Sequence, residues 1–239
     1  MPVVGSLQQL VSLLIPPVCL GCGCEPMHPR AVLCGECAES MPLLTGRLCQ
    51  RCALPVPCDS CPAHGSPWES STAACSHEGP ARGLVIALKS SGAKRVAAQM
   101  AKLMAEAALP TEGVALVPMP PDPARLRATG VDHARILAEQ LSGLTGRPVL
   151  RVLERLPRGQ SVRQVGASRQ ERQQPGRIQI SGRGTVPSRC VVVDDVYTTG
   201  ASLQAACSGL LLSGAQVVHC AVFARALPPG FARPMPRSW

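Results

Sequence analysis

Aromatic residues are nearly missing from this chain, which has two Trp, one Tyr and two Phe among 239 residues. A protein that holds single-stranded nucleic acid chiefly by stacking needs several aromatic faces. Outside the C-terminal stretch only Trp68, Tyr197 and Phe223 supply them, so any such grip would rest on Arg guanidinium planes instead. No secretory leader is expected either. The apolar stretch at residues 7–15 follows no basic segment, ends on Pro16-Pro17, lacks an Ala-x-Ala-like cleavage site and is too short to cross a bilayer. It reads as an amphipathic helix over residues 1–16, capped by Ser6, with Leu7, Leu10, Val11 and Leu14 on one face. The expected location is therefore cytoplasmic, with no membrane span. Two nucleotide-binding signatures are absent as well, since no Gly-Lys-Ser/Thr ends a phosphate loop and no Gly-x-Gly-x-x-Gly occurs.

Charge is distributed unequally. Residues 1–80 carry three Arg and six acidic groups, a net of −3, whereas residues 81–239 carry a net of +12 within the total of +9. Nine Arg fall between residues 151 and 189 against Glu154 and Glu171. Such a density suits phosphates or a nucleic-acid backbone, and equally a solvated face. Arg163, Arg169 and Arg172 are the candidate nucleic-acid contacts, and residues 157–175 a candidate lid.

Cysteine is abundant, with nine of the 13 lying between Cys19 and Cys61. Four Cys-x-x-Cys pairs occur there: Cys19 with Cys22, Cys34 with Cys37, Cys49 with Cys52, and Cys58 with Cys61. Each two-residue spacer lets a tight turn direct two thiolates at one ion, and two such knuckles complete a tetrahedron. The chain order predicts a double zinc ribbon over residues 17–62 with two structural Zn²⁺ ions. Four Cys at each ion leave no position open for a catalytic water. Cys24 reads either as an alternative ligand or as a spare thiol, and His28, His64 and His77 as surface residues.

Residues 63–82, rich in Ser, Pro, Gly and Ala, read as a linker. Beyond it, apolar runs at 84–88, 114–117, 149–152, 190–193 and 217–223 alternate with helical patterns at 93–108, 134–144 and 201–212. The alternation predicts an α/β domain over residues 83–226, a Rossmann-like parallel sheet wrapped by helices. Residues 118–130 and 157–175 read as long functional connections, and 227–239 as a disordered tail.

The most informative string is Cys190-Val-Val-Val-Asp-Asp-Val-Tyr-Thr-Thr-Gly-Ala-Ser202, an apolar strand, an acid pair, then hydroxyl and glycine residues opening a helix. Backbone N–H groups at the helix start, with Thr198, Thr199, Gly200, Ala201 and Ser202, can hold a phosphate. Asp194 and Asp195 suit a vicinal diol and are the candidate catalytic acids, and they also suit retention of Mg²⁺ through water.

These residues resemble the signature of type I phosphoribosyltransferases. The resemblance extends to the ComF family of competence-associated proteins, which joins N-terminal zinc ribbons to that fold. Val117-Pro-Met-Pro120, Arg125-Leu-Arg127, Leu88-Lys89, and Arg155 with Gln164, Arg169 and Arg172 are similar to family segments. Gly130-Val-Asp-His133 departs from the family's Gly-Phe-Asn-Gln. The resemblance implies a type I phosphoribosyltransferase sheet binding phosphoribosyl pyrophosphate with Mg²⁺. Lys89, Arg125 and Arg127 would lie near the pyrophosphate. It also implies a role in competence, with single-stranded DNA and the DNA-uptake machinery as partners. The alternative is an active transferase that delivers ribose 5-phosphate to a nitrogen acceptor.

Overall fold

The computed structural model describes residues 18–58, 60–107, 109, 114–156, 178–228 and 231. The expected helix at 1–16, Arg163, Arg169 and Arg172 with the lid around them, and most of the expected tail lie outside these described residues.

Four strands form a parallel sheet in the order β1-β6-β5-β2: β1 (Ser70–Ser76), β2 (Ala115–Pro118), β5 (Arg189–Tyr197) and β6 (Val217–Arg225). The central strands are apolar without alternation and nearly continuously buried, as expected for strands covered on both faces. Helix α3 (Lys94–Glu106) buries Val96, Ala97, Met100, Ala101 and Met104 along one stripe. Helix α5 (His133–Thr145) packs against it through Ala134, Leu137, Ala138 and Leu141. Helix α6 (Ala201–Leu212) follows β5 and packs against β6 and a two-stranded antiparallel ribbon, β3 (Leu153–Arg155) with β4 (Ile180–Gly182). The prediction of a parallel α/β domain preceded by a cysteine-rich region is therefore met.

Three segments differ from their expected form. Residues 84–88, read as a strand, lie within α2 (Gly79–Ser91). Its buried Ala81, Leu84, Val85 and Leu88 follow helical spacing, while Ile86 is exposed. The supposed linker at 63–82 buries Ala63 and Trp68 and contains β1. This strand is made of Ser, Thr, Ala and Cys, small residues that fit between neighbours without giving an apolar signal. The run at 149–152 contributes only a bridge from Val149 to Leu116, and the strand forms at 153–155. In the connection at 118–130, Asp122 caps a short helix, α4 (Pro123–Thr129), by accepting from the N–H groups of Ala124 and Arg125.

The cysteine-rich region includes α1 (Gly35–Glu39) and is attached directly to the sheet edge. Leu44 N–H donates to Ala74 O at 3.0 Å, Ser76 N–H to Pro42 O at 2.8 Å and Ser71 N–H to Gln50 O at 2.7 Å. Strand β1 would otherwise present an unpaired edge, and these bonds cover it.

Candidate functional site

The carboxyl ends of β1, β2 and β5 converge on a cavity of about 480 Å³. Strand β5 supplies Asp194 and Asp195, the turn after it supplies Thr198, and the first turn of α6 supplies Ser202. Residues Met119 to Asp122 after β2 form a second wall, continued by Arg125 of α4. His77 follows β1, Lys89 comes from α2, His133 opens α5, and Arg155 ends β3. Ligand sites of open parallel sheets lie at this edge because helix N-termini and loops gather there.

Both acids are buried. Lys89 Nζ lies 3.0 Å from Asp195 Oδ2, and His133 Nε2 lies 3.6 Å from the same oxygen, beyond hydrogen-bonding distance. Burial, reinforced by the neighbouring charge of Asp195, pushes the Asp194 carboxyl up to about 7. The Asp195 N–H, which donates to Asp194 Oδ1 at 2.9 Å, opposes that rise only in part, as do Lys89 and Arg155. Burial also lowers the basicity of His133 and His77, and Lys89 adds to the effect on each. Both imidazoles are thereby shifted toward the neutral form, with Asp195 opposing the shift. His133 Nδ1 and His77 Nε2 are buried without a hydrogen-bond partner among the described residues. His133, Asp194 and Asp195 also bring one ligand atom each within 4.8 Å of one another, a donor set that fits a divalent cation.

The turn into α6 is built around Gly200, whose φ of +84° is left-handed. A Cβ there would lie 2.9 Å from Cε2 of the fully buried Tyr197 ring. Gly200 places no side-chain cap on α6; Ala201 N–H donates to Thr199 Oγ1 at 3.4 Å, and the next N–H groups of the first turn suit an anionic ligand.

Of the residues expected at the site, Lys89, Arg125, Asp194, Asp195, Thr198 and Ser202 line the cavity. Thr199, Gly200 and Ala201 belong to the turn but do not line it, and Arg127 is an exposed residue of α4 away from the lining. His77 is not the surface residue expected; it lines the cavity and is half-buried. It was missed because the strand that delivers it was missed. His133 and Arg155 join the lining too, Arg155 held by donating from Nε to Pro120 O at 3.0 Å. An available signal for His133 was its position at the head of a helix capped by Asp132, which accepts from Arg135 N–H.

The second group of cysteines forms as the chain order predicts, whereas in the first Cys24 takes the place expected of Cys37. Cys49, Cys52, Cys58 and Cys61 bring their sulfurs within 4.8 Å of one another. Cys19, Cys22 and Cys34 are joined within the same distance by Cys24, whose sulfur is 3.3 Å from that of Cys22, while Cys37 stands beside this set, its thiol pushed up by burial and by its thiol neighbours Cys22, Cys19 and Cys34. Five thiols thus lie in or beside the first group. Burial acts against ionisation of Cys19, yet the N–H groups of Cys34, Cys22 and Gly21 bring it down to about 6. Cys49 reaches about 7 against burial through the N–H groups of Cys52 and Arg51. Backbone donors aimed at sulfur are what a thiolate-ligated ion requires, so both groups fit Zn²⁺.

A parallel sheet with an acid pair and a glycine turn into a helix at its carboxyl edge defines an α/β protein whose candidate ligand site lies at that edge. The family model described as the phosphoribosyl transferase domain matches residues 128–230. That stretch is a phosphoribosyltransferase domain, and the four-stranded parallel sheet is typical of type I. Among solved structures, one titled the structure of the allosteric regulatory enzyme of purine biosynthesis is similar at 23% identity and a TM-score of 0.38. The match covers 53% of this chain and 25% of that one. The chain thus spans about a quarter of that enzyme's length. No curated protein matches the chain. No helix among the described residues is long and apolar enough to cross a membrane.

Proposed function

We propose that the cavity binds phosphoribosyl pyrophosphate and supports transfer of its ribose 5-phosphate to a nitrogen acceptor. One observation carries the reading: the buried acid pair and the uncapped start of α6 share a cavity with the cations Lys89 and Arg125. Thr198, Ser202 and the first N–H groups of α6 suit the 5-phosphate. Asp194 and Asp195 suit the ribose hydroxyls, and Lys89 with Arg125 the pyrophosphate. Mg²⁺, when bound with the ligand, would neutralise pyrophosphate charge, and Asp194 and Asp195 are the residues suited to retain it through water. In the transfer, the acceptor nitrogen forms a bond to C1 as the C1–oxygen bond to pyrophosphate breaks. The electron pair leaves with pyrophosphate, and the acceptor's proton passes to a base. Catalysis then depends on positioned cations and exclusion of water, with no protein nucleophile needed. The two cysteine groups would hold structural Zn²⁺.

Calorimetric titration of Mg²⁺ with phosphoribosyl pyrophosphate tests the reading. Wild type should bind and Asp194→Asn/Asp195→Asn should not; equal binding by both removes the proposal. Pyrophosphate release across a panel of nitrogen acceptors tests transfer. A role in competence and DNA uptake, with single-stranded DNA as partner, is a second reading that draws on the nine Arg at residues 151–189. It predicts an affinity for single strands that falls steeply with salt and drops on Arg163→Ala/Arg169→Ala/Arg172→Ala.

A further inference from the structure

The last residue of β6, Arg225, is only 2% exposed although it carries a guanidinium. Its Nη1 lies 2.8 Å from Tyr197 O, 2.7 Å from Thr198 O and 2.8 Å from Ala226 O, while its Nε donates to Cys52 O at 2.9 Å. The guanidinium carbon also stands 3.9 Å from the centre of the Tyr197 ring. One planar cation therefore holds the carbonyls that enter the phosphate loop and, on its other edge, the backbone of a cysteine in the second thiol group. A Lys could not span these partners, since its charge is a point without a fixed fork.

A second connection runs parallel to this one. Arg51 O, next to Cys52, accepts from Trp68 Nε1 at 2.7 Å and from Ser71 Oγ at 2.9 Å. The Trp68 ring in turn meets Tyr197 edge-on at 6.0 Å between centroids. Tyr197 is the ring against which Gly200 packs, so the floor of the phosphate turn rests on the knuckle formed by Cys49 to Cys52. The first thiol group is placed differently, with Leu20 and Gly21 against Gly83 and Pro80 of α2.

From this geometry we infer that Arg225 is a positioning residue for the phosphate loop, through which the folded state of the Cys49, Cys52, Cys58 and Cys61 group sets the loop's order and its affinity for phosphate. When that group holds its ion, the Cys52 carbonyl is fixed and the guanidinium stays in register with Tyr197 and Thr198. Without the ion, the knuckle loses its constraint and the loop loses its support. The affinity part of the inference rests on the function proposed above; the ordering part does not.

The test uses the full chain and three variants: Arg225→Met, Cys58→Ser and the two combined. Amide exchange is followed without ligand at residues 198–202, with Met100 in the core of α3 as the internal reference. Each single variant should speed loop exchange about tenfold, the scale of one lost charged hydrogen bond, and leave the Met100 amide unchanged. The combined variant should exchange no faster than the faster single one, because both changes cut the same connection. Arg225→Lys should restore little. Stepwise removal of metal from wild type by a chelator should reproduce the Cys58→Ser pattern, which covers the case in which that variant fails to fold. Multiplicative effects in the combined variant, or loop exchange indifferent to metal, overturn the inference. Calorimetry with Mg²⁺ and phosphoribosyl pyrophosphate then separates the two readings. Matching losses of affinity support both, whereas the exchange pattern in a wild type that binds no ligand supports the coupling and overturns the ligand.

Discussion

Lys89 Nζ stands 3.0 Å from Asp195 Oδ2, joining α2 to the end of β5 across the cavity. The carboxylate side is 3% exposed and the ammonium side 26%, so the two partners respond unequally to loss of the other. Removing Lys89 leaves a buried carboxylate without its cation, a larger penalty than exposing a surface lysine. Solvent reaches Lys89 and screens the pair, so Lys89→Met should destabilise the fold by about 1–3 kcal/mol. Adding Asp195→Asn should recover part of that loss. Denaturant unfolding of the four proteins in the cycle measures both effects. Equal losses from either single change would count against this asymmetry.

Asp194 makes stability depend on pH in the direction opposite to most carboxylates. Its carboxyl moves from 3.8 to about 7 on folding, so between those values the folded chain holds a proton that the unfolded chain has released. Stability from this group is complete below pH 4 and is lost as pH rises through 7. Subtracting the stability profile of Asp194→Asn from that of wild type, measured by urea unfolding from pH 4.5 to 7.5, should give a falling curve. A flat difference would show that Asp194 is already ionised. A divalent cation beside the acid pair should release the same proton, so the affinity for Mg²⁺ with phosphoribosyl pyrophosphate should rise across this interval.

Gly200→Ala combines two penalties, a side chain at φ +84° and a Cβ 2.9 Å from a Tyr197 ring against which Arg225 also packs. The cost should be about 1–2 kcal/mol in stability, with a larger proportional effect on phosphate binding because the turn itself must move. Gly130→Ala is the comparison: its φ of +67° is similar, but a Cβ there meets nothing within 4 Å. Comparable losses of ligand affinity in the two variants would exclude the ring contact as the cause.

Metal analysis of the purified chain should return about two Zn²⁺ per molecule. Five thiols lie in or beside the first group for four positions, so Cys24→Ser and Cys37→Ser should each retain that ion more often than Cys19→Ser, whose sulfur accepts from the N–H groups of Gly21 and Cys34 at 3.4 and 3.2 Å. Zinc release against chelator concentration ranks the three. Equal release would mean that the fifth thiol gives no substitute.

The parts of the site that share a short stretch of sequence were legible in it. Asp194, Asp195, Gly200 and Ser202 belong to one strand, turn and helix, so local rules were enough to place them. The thiol group of Cys49, Cys52, Cys58 and Cys61 was legible for the same reason. Strand β1 was not, because Ser70–Ser76 has no large apolar residue and becomes a strand only through pairing with β6 and the bonds to Pro42, Leu44 and Gln50. Misreading α2 had a different origin. A run of five apolar residues has no distinguishable period until the burial of Ala81 and the exposure of Ile86 are known.

The sequence by itself determined the α/β class, the thiol group of Cys49, Cys52, Cys58 and Cys61, and the phosphate turn, since each follows from spacing within a few residues. Only the tertiary structure decided that His77, His133 and Arg155 meet around Asp194 and Asp195, and that Arg225 ties Cys52 to Thr198. Those residues come from separate elements, and their meeting depends on how the strands are ordered in the sheet. A parallel sheet brings its carboxyl ends together whatever the distance between them along the chain, and no local pattern records that order.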